Sequence, residues 1–214
     1  MTRMGSFVWV VACAVAQLVP PSSLLETKIA VFDIVKAPML EAVRHLRDSG
    51  LRVTLEEVEL SADRDRIFND QDEPVGVRKT EITIHLTNKT LREVLDSLTT
   101  ADREYEWKSD VRLRLISILP RAGSVLNWRV PKLNMSSKGR LQAIQEDLSL
   151  QSHQVSVFWR GPYEAYDRPI SLATENIAVL DALNMISLQD PSLCWTLAGF
   201  KGGRILTFVP CAPS

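Results

Sequence analysis

Three histidines, a knot of acidic side chains, three cysteines and a pair of tryptophans are the residues of this 214-residue chain whose types could do chemistry. A catalytic or metal-binding histidine needs partners at fixed spacing, as in HExxH, because the ligands must converge on one point. His45, His85 and His153 have no second His, Cys or carboxylate so placed, and they read as helix, strand and loop surface. Asp70, Asp72 and Glu73 crowd together in a way that could hold calcium. The regular ligand spacing of an EF-hand loop is absent, so they read as a solvated charge run. There is no Gly-x-Ser-x-Gly elbow and no glycine-rich phosphate loop. The sequence therefore assigns no catalytic, cofactor-binding or metal-ligating residue and predicts a protein that is not an enzyme. The remaining class is a small-ligand binder or enzyme whose site is assembled from unlike positions. Asn88-Lys89-Thr90 and Asn134-Met135-Ser136 fit the glycosylation pattern. Both fall where strand meets helix, and capping explains them without sugar. Trp107 and Trp195 occupy matching places in two hairpins, which marks them as core residues and not as a ligand-stacking pair.

The cysteines carry a sharper expectation. Arg3, the apolar run Phe7–Ala16 and the small-x-small triplet Ala14-Val15-Ala16 have the form of a secretory signal cleaved after Ala16. Export to an oxidising compartment, the periplasm, follows, with residues 17–27 as a linker. A lipid anchor through Cys13 is the alternative. Cleavage removes Cys13 and leaves Cys194 and Cys211, an even count that favours a disulfide. Gly202-Gly203 signals a two-residue hairpin loop. Counting outward from it sets Lys201 against Arg204, Phe200 against Ile205 and finally Cys194 against Cys211. Such a bond closes a loop of about fifteen residues and contributes about 3 kcal/mol in the chain-entropy model.

The elements that position these residues are organised around Glu81–Pro120. Ile82, Ile84 and Leu86 alternate with polar residues, the period of a half-buried strand. Thr90 and Glu93 form a capping-box pair, and Leu91, Val94, Leu95 and Leu98 follow as one helical stripe. Tyr105 and Trp107 alternate again, Lys108–Asp110 supplies a turn, and Val111, Leu113 and Leu115 return as a partner strand. The pattern recurs over Pro169–Pro210: Ile170 and Leu172 begin it, Ile177, Leu180, Leu183 and Ile186 make the helical stripe, and Trp195 matches Trp107. Upstream, Phe32-Asp33-Ile34, Lys36 and Met39 line up with Trp128-Arg129-Val130, Lys132 and Met135 at one offset. Internal similarity of this kind implies two modules.

The first module, residues 28–120, begins with a strand at Lys28–Ile34. A helix follows, with Pro38 in its first turn and Gly50 at its end, and then a strand at Leu51–Leu60. Ser61–Lys79 is a long charged loop, of a length that is functional or mobile. Residues 121–125 form a junction. The second module, residues 126–211, predicts a strand at Val125–Val130, a helix capped by Ser136 or Ser137 with Leu141, Ile144 and Leu148 inward, and a strand at Gln154–Trp159. The fold class is α+β: two small modules, each with two helices packed with small β-sheets in β-α-β-β-α-β-β order.

The strand Val31-Phe32-Asp33-Ile34, the helix start Pro38-Met39-Leu40, and the junction Leu86-Thr87-Asn88-Lys89-Thr90-Leu91 resemble the secretin and TonB short N-terminal domain. The resemblance covers residues 28–120 well. It is weaker over 126–210, where Arg129, Val130 and Asn134 replace the signature. It implies two helices held between two small sheets, and a non-catalytic role in docking protein partners in the bacterial envelope. No channel or barrel strands follow in the sequence. Composition agrees with a globular protein: 45% of residues are hydrophobic and 24% charged, and the net charge of −1 lacks the basic excess of a nucleic-acid binder. No apolar stretch is long enough to span a bilayer as a helix. The expected partner is an envelope protein, with no cofactor.

Overall fold

In a computed structural model of the chain, residues 24–58, 66–68, 74–77, 80–136, 140–159, 170–190, 193–200 and 203–211 are described. Cys13, Ala16 and the acidic knot at Asp70, Asp72 and Glu73 lie outside them. The order is β1 (Lys28–Ala37), α1 (Met39–Asp48), β2 (Val53–Glu56), β3 (Arg66–Phe68), β4 (Pro74–Val77), β5 (Ile82–Thr90), α2 (Leu91–Ala101), β6 (Tyr105–Asp110) and β7 (Leu115–Pro120). Then come β8 (Arg129–Ser136), α3 (Arg140–Asp147), a 3-10 turn (Gln151–His153), β9 (Val155–Trp159), β10 (Ser171–Ala178), α4 (Val179–Gln189), β11 (Leu193–Phe200) and β12 (Gly203–Pro210). The protein is α+β, and among the described residues no helix is long and apolar enough to cross a membrane.

The two halves follow one path, and their hydrogen bonds repeat. In each, the first strand pairs antiparallel with the strand before the second helix, β1 with β5 and β8 with β10. Asn88 and Asn176 both take a left-handed backbone, φ 51° and 49°, at the same place in those strands, a conformation asparagine tolerates better than most residues. Trp107 Nε1 donates to Asp96 Oδ1 at 2.9 Å, and Trp195 Nε1 donates to Asn184 Oδ1 at 3.1 Å. Helix α2 is closed by a full capping box, Glu93 N–H to Thr90 Oγ1 and Thr90 N–H to Glu93 Oε2. Ala178 stands at the cap of α4 and offers no side-chain acceptor. Burial on the two helices matches position by position, with Leu91, Val94, Leu95 and Leu98 answered by Val179, Ala182, Leu183 and Ile186.

Several boundaries differ from the sequence expectation. Ile177 lies in β10, and the helical stripe begins at Val179. Strand pairing, not apolar spacing, sets that boundary, since Ile177 faces Val130. The chain stays extended through Asp110 and turns at Val111–Arg114, because Asp110 Oδ1 accepts the N–H groups of Arg112 and Leu113. Strand β8 starts at Arg129, later than expected, and pairing places Leu133 and Met135 where Phe32 and Ile34 stand, not Trp128 and Val130. Part of the loop Ser61–Lys79 is the antiparallel pair β3–β4.

The largest difference is in the sheets. Separate small sheets were expected for each half. Instead β6, β7, β2, β11, β12 and β9 form, in that order, one six-stranded sheet. The seam is the parallel pair β2–β11, with Leu55 beside Thr196 and Glu56 beside Leu197. Two buried clusters remain, and they lie on opposite faces. Val53, Leu55, Ile116 and Ile118 face α1 and α2. Trp195, Leu197, Leu206 and Phe208 face α4, in a cluster that also takes in Leu148 and Ile144. Opposite faces follow from the pairing, because residues side by side in a parallel ladder point the same way and neighbours along a strand alternate. Strand β11 runs with β2, whereas β12 runs against it, and β9 runs with β12. Strands β11, β12 and β9 thus repeat the pairing of β6, β7 and β2 with every direction reversed.

Candidate functional site

Strands β2 and β11 share a short ladder, extended by Glu57 N–H donating to Leu197 O at 2.8 Å. A two-residue ladder is too short to hold two halves together by itself, and polar side chains lock it. Arg47, on the last turn of α1, is 6% exposed. Its Nε donates to Val53 O at 2.7 Å, and its Nη2 donates to Trp195 O and Thr196 Oγ1, each at 3.0 Å. The planar fork of guanidinium is the group that can bridge two strands in this way. Burial pushes its pKa down to about 10, with Arg44 adding to the shift, so it remains charged at neutral pH. Arg52 reaches the other way: Nη1 donates to Leu113 O at 2.7 Å and Nη2 to Ser187 O at the end of α4. On the opposite face Glu56, 1% exposed, accepts from the Val125 N–H at 2.7 Å and from the Ser124 hydroxyl. Burial raises its pKa, while those two hydrogen bonds and Arg204 work against the rise. The link between the halves is fastened by this carboxylate, and Gly123 just before it takes φ 109°, which suits glycine.

Each half leaves the back of its strands uncovered by its own helices. Beside the seam this forms a groove of ≈ 530 Å³ under α1, with Arg44 and Arg47 at one wall and Ala198, Ile205 and Phe158 on the floor. Phe158 is 52% exposed, the largest exposed apolar side chain among the described residues. The sheet's outer strands are β6 and β9, and among the described residues each pairs on one side only.

The residues singled out in the sequence do not converge. His45 is exposed on α1. His85 lies on β5 with its Nδ1 2.6 Å from Asp33 Oδ1, both side chains more than half exposed. His153 stacks on Trp128 at 3.9 Å between ring centroids. Among the described residues no cluster of His, Cys, Asp and Glu could hold a metal ion. Trp195 is fully buried, as expected of a core residue, whereas Trp107 is half-buried and ties its indole to an exposed carboxylate.

Cys194 and Cys211 meet at disulfide distance, with sulfurs 2.19 Å and Cα atoms 4.9 Å apart. The register that was to bring them together is different. Phe200 pairs with Gly203 and Cys194 with Val209, so Cys211 lies beyond the last paired residue, Pro210. The side chains still share a face, since Cys211 is two positions past the partner of Cys194. The chain bends at Cys211, bringing it closer than a straight diagonal would. A glycine pair locates a turn without fixing which of its residues enter the ladder. The seam arginines were missed altogether in the sequence. The only available signal was Arg47 on the inward stripe of α1, one position after Leu46, where a solvated charge is out of place.

Comparisons with protein-family models, with curated proteins and with solved structures find no match to this chain.

Proposed function

We propose that this chain is a non-catalytic protein-interaction module of the bacterial envelope, built as two divergent tandem copies of a fold like the secretin and TonB short N-terminal domain. The observation that supports this most is the six-stranded sheet that ends in β6 on one side and β9 on the other. An open strand edge offers a row of main-chain donors and acceptors to an added strand, which is how many docking modules take their partners. The resemblance of residues 28–120 supplies the envelope, and the pair Cys194–Cys211 at bonding distance fits an oxidising compartment. Removal of the segment ending at Ala16 and residence in the periplasm belong to the same reading. Affinity capture from envelope extracts is the test. Recovery of a defined envelope protein, lost when the β6 edge is blocked by Ser109→Pro, is the expected result. A chain that retains its initiator methionine and stays in the cytoplasm overturns the compartment.

A second reading, a small-ligand binder, is favoured by the groove under α1, whose apolar floor and Arg44 at one wall suit an amphiphile with an acidic head. Specific binding there, weakened by Arg44→Ala, would support it over the first.

A further inference from the structure

We propose that copies of this chain join head to tail, the β9 edge of one pairing in parallel with the β6 edge of the next. The inference rests on the reading of the sheet edges as docking sites and names their occupant as a second copy.

The internal seam is the precedent. Strand β2 occupies in the first half the place that β9 occupies in the second, and β6 the place of β11: the first pair of each half begins alike, Ile116 N–H to Arg52 O and Arg204 N–H to Gln154 O. The seam β2–β11 is therefore one half's trailing edge meeting the next half's leading edge. It is heterologous, since β2 and β11 are unlike strands, and a heterologous contact that does not close leaves the same two edges free at the ends. Those ends are β9 and β6. The step that made the second half from the first, repeated once, places a new copy in the orientation of the first.

The main chain is ready on both sides. Pro120 opposite Tyr105 has no N–H, so that pair is a non-hydrogen-bonded one. Alternation then turns the N–H and C=O of Trp107 and Ser109 outward. On β9, the bond from Arg204 N–H to Gln154 O sets the alternation that turns Val157 outward.

The side chains at the two trailing edges point to a copy of this chain in particular. Glu56, at the trailing edge of the first half, is 1% exposed because the second half covers it, whereas Phe158 in the matching place on β9 is 52% exposed. The apolar residue is the one that lacks its cover. At the internal seam Arg47 of α1 bonds to Thr196. The match of Trp107 with Trp195 puts Lys108, an exposed side chain, in the place of Thr196. Among the described residues at the end of α3, from Ile144 to Leu148, those two are the buried ones and none is an arginine. The second junction therefore replaces the arginine clamp with main-chain pairing and the cover of Phe158.

The test is sedimentation velocity of the purified protein over a range of concentrations, with variants at each edge. The expected result is growth beyond a dimer as concentration rises. Ser109→Pro removes an outward N–H without touching the β6–β7 bonds, and it should stop growth while the melting temperature holds. Phe158→Ser should weaken association about tenfold, the scale of burying one apolar side chain, while the melting temperature holds. A monomer at every concentration overturns the proposal, as does a dimer that does not grow, or an assembly indifferent to Ser109→Pro. If the monomer still captures an envelope protein and Ser109→Pro abolishes the capture, the docking reading stands and self-association alone falls.

Discussion

Replacing Arg47 by methionine keeps the length and apolar stem of the side chain and removes the fork that holds the seam. The loss can be worked from its partners. Val53 O and Trp195 O lose a charged donor in a site 6% exposed, while Thr196 can turn its hydroxyl elsewhere. Val53 O is left without its donor at about 1–3 kcal/mol, while Trp195 O keeps its place in the β2–β11 ladder and loses a charged hydrogen bond of about 1.5–3, so the two together cost about 2.5–6. Methionine no longer has to be stripped of the water that a buried guanidinium gives up, and this returns part of the loss. A net destabilisation of about 3 kcal/mol is expected, a large share of the stability of an ordinary domain. In urea unfolding, with a slope of about 2 kcal/mol/M, the midpoint should fall by about 1.5 M. Arg47→Lys should fall between, since one ammonium cannot bridge β2 and β11 as a planar fork does. A shift within about 0.3 M at unchanged slope would refute the reasoning, showing that main-chain pairing holds the seam without the clamp.

Leu95 is fully buried on α2, so Leu95→Asp places an unpaired carboxylate in the first core and should abolish the cooperative melt, a cost of several kcal/mol. The hydrogen bond from Lys89, then those from the Thr90 N–H and hydroxyl, hold the Glu93 carboxyl down at about 2. A depressed carboxylate adds stability that is present above its unfolded pKa of about 4.3 and is lost as pH falls through the folded value. Melting temperature should therefore drop between about pH 4.3 and 2, and Glu93→Gln should flatten that part of the profile; an unchanged acid limb in the variant would contradict the capping role. Mass spectrometry of the unreduced protein should show Cys194 and Cys211 two hydrogens short, and Cys211→Ser should cost about 3 kcal/mol in stability. Two free thiols under oxidising conditions would place the protein in another compartment.

The sequence by itself determined the local elements whose signals are short-range. The capping box at Thr90 and Glu93, the inward stripe of α2 and the alternation of β5 all stand where residue spacing placed them. Such features depend on groups a few residues apart, and periodicity of 3.6 or 2 records them directly. Part of the inward stripe of α4, Leu183 and Ile186, was legible for the same reason, and Trp107 and Trp195 each donate an indole N–H to the helix before them. Registers were less legible, as the hairpin of β11 and β12 shows: the face of Cys194 and Cys211 was legible, the pairing was not. Only the tertiary structure decided the seam. Nothing near Val53–Glu56 says that its edge belongs beside Thr196 and Leu197, because an extended strand offers the same main-chain groups to any neighbour. The choice is made by side chains far apart in sequence, Arg47 reaching Trp195 and Glu56 reaching Val125. With it came the turning of the second half onto the opposite face, the uncovered backs of both halves, and the open edges at β6 and β9 on which the proposed function rests.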